Sequence, residues 1–205
     1  MTASVHPQLM WWVSRATGMV ASILLVASLI WGVLLATRAL KPVDRPAWLL
    51  AIHRWTSALA CVGIAIHVLA LVADNYVHFG WREIFLPNAS PWKRVPVTLG
   101  VIAMYLLILV QGTSLLMKRL PRPVWKFIHY FSYAAVWLTS VHAALAGSDV
   151  SNRLYQFLAL MLTILAVTAA VIRVIMGTTR MQRARAAEAK AGAARAVPAA
   201  EPAER

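Results

Sequence analysis

The chain reads as an all-α integral membrane protein, a bundle of about five transmembrane helices, and three observations carry that fold class. Of its 205 residues 60% are hydrophobic and only 13% charged, which is a membrane composition. The apolar residues fall in blocks and not along an amphipathic stripe. Five of those blocks reach the roughly 20 residues needed to cross a hydrocarbon core of roughly 30 Å.

The first span is placed at 10–37. It is too long for a signal-peptide core, has no basic leader and shows no persuasive cleavage site before the next span, so it is expected to stay as a helix. The second lies at 48–73 and holds the single cysteine, Cys61. One thiol offers neither a disulfide framework nor a thiolate metal site, and Cys61 reads as a small packing residue. The third, fourth and fifth spans are placed at 95–117, 125–146 and 154–175. Residues 1–9 form a short leading segment, 10–176 the membrane domain and 177–205 a basic tail, expected to begin as a helical extension and then fray. The long connection 74–96 mixes prolines, charge and the aromatics Tyr76, Phe79, Trp81, Phe85 and Trp92, which predicts a short segment lying at the outer interface.

A formal charge of +13 would suggest nucleic acid in a soluble domain, but no such domain exists to present a basic face. In a membrane protein the excess is a topology signal, because Lys and Arg dominate cytoplasmic loops. Arg38, Lys41 and Arg45 follow span one; Lys118, Arg119, Arg122 and Lys126 follow span three; six more basic residues sit in the tail. An odd number of spans then puts the N-terminus outside and the C-terminus in the cytoplasm.

Polar residues inside spans are expensive and mark function. Four of the six histidines lie there: His53 and His67 on the second span, His129 and His142 on the fourth. These two spans run parallel in this topology, so His53 shares a level with His129 on the cytoplasmic side and His67 with His142 on the outer side. At 1.5 Å per residue the levels are about 20 Å apart. A haem iron held by two neutral imidazoles takes one nitrogen from each face of the macrocycle, which facing helices supply. Fourteen residues return His67 to within about 40° of His53, but thirteen leave His142 about 140° from His129. The fourth span must therefore tilt, tighten, or approach its two levels at different angles. Small residues between the ligands, namely Ser57, Ala58, Ala60, Cys61, Gly63, Ser132, Ala134 and Ala135, suit close approach of a ring and equally plain helix packing.

Arg54 and Lys126, beside His53 and one turn before His129, are candidate partners of inner haem propionates, against ordinary snorkelling to lipid phosphate. His78 in the outer loop is a weaker candidate for a metal acceptor. Trp137 and Tyr133 lie between the levels, where an aromatic bridge competes with packing.

In the order and spacing of His53, His67, His129 and His142 the chain resembles the ferric reductase and NADPH oxidase transmembrane family, and most of all its short, haem-only bacterial members. The resemblance covers roughly residues 10–176. It implies two b haems, the inner iron on His53 and His129 and the outer on His67 and His142, in a cytoplasmic (inner) membrane. Full-length relatives continue into a flavin- and nicotinamide-binding domain. Fewer than 30 residues follow the membrane domain here, with no glycine-rich phosphate loop, so no flavin or nicotinamide site is expected within this chain.

The expected function is transmembrane electron transfer as an oxidoreductase component, from a cytoplasmic or quinol donor to an extracytoplasmic acceptor. The expected partners are the lipid bilayer and a redox protein or quinol. Three alternatives stay open: a haem subunit serving a separate outer reductase, a quinol-linked cytochrome b of another family, and a haem-free proton-coupled transporter whose histidines relay protons.

Overall fold

The computed structural model describes residues 8–43, 45–74 and 77–196. Their regular structure is helical throughout: α1 (Leu9–Thr37), α2 (Pro46–Val72), α3 (Trp81–Phe85), α4 (Arg94–Leu115), α5 (Arg122–Ala146) and α6 (Arg153–Ala196). Tyr76 and the end of the tail, 197–205, lie outside the described residues. Among the described residues four helices are long and apolar enough to cross a membrane: α1, α2, α4 and the Arg153–Thr179 part of α6. The protein is thus an all-α integral membrane protein embedded in a lipid bilayer.

The expected fourth span, α5, differs from the others in a way that bears on the site. Its 25 residues give about 37 Å of helix, enough to span, yet it is less apolar than its neighbours. Arg122, Lys126, His129, Tyr130, Tyr133 and His142 all fall within it. It packs along α4 and against α1 and α6, which makes it the fifth member of the bundle.

Short connections fold α1 with α2 and α4 with α5 into two hairpins. Helix α1 is the hub, touching α2, α5 and α6. The core forms where they meet, from Leu25, Val26, Leu29 and Val33 of α1, Ala60 of α2, Val136 of α5, and Ala166 and Ala169 of α6. Large apolar side chains such as Trp55, Leu69, Phe127 and Val174 stay exposed on the outer faces, where lipid tails meet them. By contrast α2 and α5 are not among the closely packed pairs. A slot therefore separates the two helices that carry the histidines.

Local chemistry sets the helix ends. Pro46 starts α2 in the first turn, where its missing N–H would have lacked a partner anyway. The Asn152 side chain accepts from the Leu154 and Tyr155 amides at 2.9 and 3.3 Å and caps α6. Lys93 donates its ammonium to the Leu145 and Gly147 carbonyls at 3.2 and 3.1 Å, placing a cation on the negative end of α5. Helix α6 runs on past its span to Ala196 through the first part of the basic tail.

Candidate functional site

The structure brings the four span histidines together in two pairs. The His53 and His129 ring centroids are 6.1 Å apart with planes at 76°, and those of His67 and His142 are 6.4 Å apart at 82°. N-terminal histidine meets N-terminal histidine and C-terminal meets C-terminal, so α2 and α5 run parallel. Helix α5 is unbroken α-helix across both of its histidines, so the 13-residue spacing is not accommodated by a tightened turn. Helix tilt and side-chain rotation take up the difference.

Three of the four rings are oriented from behind, through Nδ1. His67 Nδ1 donates to the Ser14 carbonyl at 2.7 Å, His53 Nδ1 to the Ser28 carbonyl at 2.9 Å and His142 Nδ1 to the Pro96 carbonyl at 2.8 Å. A carbonyl only accepts, so these bonds fix the neutral tautomer with its proton on Nδ1 and a lone pair on Nε2. Histidines that bind metals almost always donate their other ring nitrogen to such an acceptor, which fixes the ring and strengthens the donor nitrogen. His129 Nδ1 lies 3.4 Å from the Ser114 hydroxyl, and its ring stacks on Trp125 at 5.1 Å and 27°.

Three glycines make these contacts sterically possible. A methyl group added at Gly18 would stand 2.9 Å from His67 Nδ1, one at Gly32 3.2 Å from His53 Cε1, and one at Gly100 2.6 Å from His142 Nδ1. Each glycine sits four residues after the carbonyl that receives the ring. On α1 the pattern repeats: Ser14 and Gly18 serve His67, and Ser28 and Gly32, fourteen residues on, serve His53, which is itself fourteen residues from His67. The hydroxyls join in, Ser14 Oγ donating to the His67 carbonyl at 3.1 Å and Ser28 Oγ lying 2.7 Å from Ser57 Oγ.

Do these residues fit a haem? A metal–imidazole bond of about 2.0–2.1 Å, with the ring centroid about 1.1 Å behind its nitrogen, separates two trans imidazole centroids by about 6.3 Å. Both pairs match that spacing. The outer pair opens on a cavity of about 320 Å³ walled mainly by apolar side chains, with Arg15, Glu83 and Asp149 as its charged members. That volume is in the range of small-molecule and cofactor sites. Beside the inner pair the buried indole N–H of Trp125 has no hydrogen-bond partner, a donor that a carboxylate would satisfy. No cluster of three or more His, Cys, Asp or Glu is present among the described residues.

Other predicted residues sort differently. Arg54 and Lys126 lie on exposed faces of α2 and α5, and the exposed His78 adopts a left-handed backbone with φ 55°. Trp137 is 56% exposed and points outward instead of bridging the two levels, while Tyr133 packs on the core cluster. Ala60 is fully buried in that cluster, and the nearest neighbour of a Gly63 methyl would be the Ala21 Cβ. These two small residues serve the α1–α2 contact.

Sequence reasoning missed Arg15. Its guanidinium forms a two-pronged ion pair with Asp149, one arm Nε to Oδ2 at 3.0 Å, and lies 4.7 Å over the Trp12 ring. The pair ties α1 to the α5–α6 connection at the rim of the outer cavity. Asp149→Asn is expected to cost about 1–3 kcal/mol, the worth of a charge-assisted hydrogen bond. The check is a lower melting temperature in detergent with the imidazole pairs unaffected; an unchanged melting temperature would show that the clamp contributes nothing.

Fold and site together define a multi-pass helical membrane protein whose buried polar chemistry is concentrated in two stacked imidazole pairs. A family model described as ferric reductase like transmembrane component matches residues 17–140, more than half of the chain, and the protein belongs to that family. The match takes in His53, His67 and His129 and stops just before His142. Neither a curated protein nor a solved structure matches the chain.

Proposed function

We propose that the protein moves single electrons across the membrane as a di-haem b-type cytochrome, from a cytoplasmic or quinol donor to an extracytoplasmic acceptor. His53 and His129 would hold an inner haem, and His67 and His142 an outer one. The single observation that carries this is the centroid spacing of 6.1 and 6.4 Å in two pairs, three of whose four Nδ1 atoms donate to main-chain carbonyls behind them. A bound b haem supplies reversible one-electron chemistry at its iron.

The chain's own residues do the rest. Carbonyls of Ser14, Ser28 and Pro96 hold three rings in the donor tautomer, and apolar walls of the outer cavity exclude water. Arg54 and Lys126, the cations nearest in sequence to the inner ligands, would be candidates for the inner haem's propionates against snorkelling to lipid phosphate, with the Trp125 N–H as a neutral donor beside the inner pair. With the N-terminus outside and the cytoplasm negative, outward electron movement is favoured by about 2.3 kcal/mol per 100 mV.

The test is a reduced-minus-oxidised visible spectrum with pyridine haemochrome quantitation on protein purified from haem-replete cells. About two b haems per chain are expected. A colourless protein would sink the electron-transfer function and leave a proton relay through the histidines as the surviving account.

A further inference from the structure

Three of the four imidazoles are held the same way and one is not. His53, His67 and His142 each donate to a main-chain carbonyl at 2.7–2.9 Å and lie against the glycine four residues beyond it. His129 has neither. Its Nδ1 is 3.4 Å from Ser114 Oγ, and that hydroxyl has already given its own proton to the Val110 carbonyl at 2.7 Å. The glycine on this part of α4, Gly112, has open space where a ring would have to pack. What orients His129 is a stack on Trp125 of its own helix, which sets the ring plane and offers Nδ1 no acceptor.

The difference has a chemical consequence. A strong Nδ1–H···O=C bond increases the donor strength of Nε2 and resists rotation of the ring away from a metal. Losing such a partner typically weakens a metal–ligand bond by about 10–100-fold in affinity. From this contrast we propose that His129 is the displaceable ligand, and that the inner level admits a small neutral exogenous ligand of the carbon monoxide type while the outer level stays closed. The inference rests on the di-haem reading. The exchange is redox-neutral: the bond from His129 Nε2 to ferrous iron breaks, the incoming molecule's lone pair forms the new one, and the imidazole leaves uncharged with its proton still on Nδ1.

The experiment is a carbon monoxide titration of the dithionite-reduced full chain in lipid nanodiscs, alongside haemochrome quantitation. Wild type is expected to shift about half of its Soret absorbance. Ser114→Ala, which removes the weak contact to His129, is expected to tighten carbon monoxide binding by up to about 10-fold. Thr113→Ala, one position away on α4 and bonded through its hydroxyl only to the Leu109 and Val110 carbonyls, is expected to change nothing. Two haems with no carbon monoxide shift would overturn the inference and leave electron transfer standing, as would a shift of all the haem or one that follows Thr113→Ala instead of Ser114→Ala. A wild type that binds no haem would instead remove the reading beneath it. If Ser114→Ala fails to fold, the half-shift of the wild type decides alone.

Discussion

Gly100→Ala is expected to abolish the outer level. A methyl group there would stand 2.6 Å from Nδ1, 2.7 Å from Cε1 and 3.1 Å from Cγ of His142, so the whole near edge of the ring is in the way. The ring cannot retreat without giving up its 2.8 Å bond to the Pro96 carbonyl. Nor can the methyl move, since it is fixed to the backbone of α4. The expected result is a haem content falling from two to one, the surviving signal belonging to the inner pair. Gly112→Ala on the same helix is the control, because nothing lies within 4 Å of its added carbon. Only helix propensity acts there, and alanine is favoured by up to about 1 kcal/mol. Gly18→Ala and Gly32→Ala, whose closest approaches to their histidines are 2.9 and 3.2 Å, should fall between in that order. Full haem occupancy in purified Gly100→Ala would show that the outer ring does not need its glycine notch.

How much of this could be read from the chain alone depends on where the information resides. The spans were legible because a length of some 20 apolar residues is a one-dimensional property of sequence, and the helices α1, α2, α4 and α5 begin and end within about three residues of the expected bounds. The histidines were legible because a polar ring in an apolar block has no routine explanation, and their pairing followed from parallel helices. The carbonyls behind the rings were not legible, since a main-chain oxygen carries no side-chain label. Their one visible trace is a four-residue step from acceptor to glycine at Ser14–Gly18, Ser28–Gly32 and Pro96–Gly100. On α1 that step recurs at the same 14-residue interval as His53 and His67, but the match means something only once α1 is known to pack on α2. The Arg15–Asp149 clamp joins positions 134 residues apart, and no local signal links them. Trp137 shows the same limit: its position between the two levels is fixed by sequence, whereas the side of the helix it presents is fixed by packing.

Pairs of histidine variants should combine in a way that depends only on which level each belongs to. If His53 and His129 act as one unit, removing either destroys the inner two-imidazole site, and removing the second has nothing left to destroy. His53→Ala, His129→Ala and the double variant should all retain one low-spin haem, a complete failure of additivity between residues that touch the same group. His53→Ala combined with His67→Ala should retain none, because the losses fall on separate levels and add. The decisive combination is His53→Ala with His142→Ala. The ring contacts at 6.1 and 6.4 Å pair each of these with a different partner, so this double variant should also lose both haems. A crossed pairing of His53 with His142 would instead spare one, and low-spin signals counted by electron paramagnetic resonance distinguish the two results directly. Counting low-spin signals also avoids mistaking a haem held by a single remaining imidazole for an intact site, since one nitrogen ligand leaves the ferric iron high-spin or dependent on exogenous ligand. A retained low-spin signal in His53→Ala with His142→Ala would overturn the level-by-level assignment even if the wild type carried two haems.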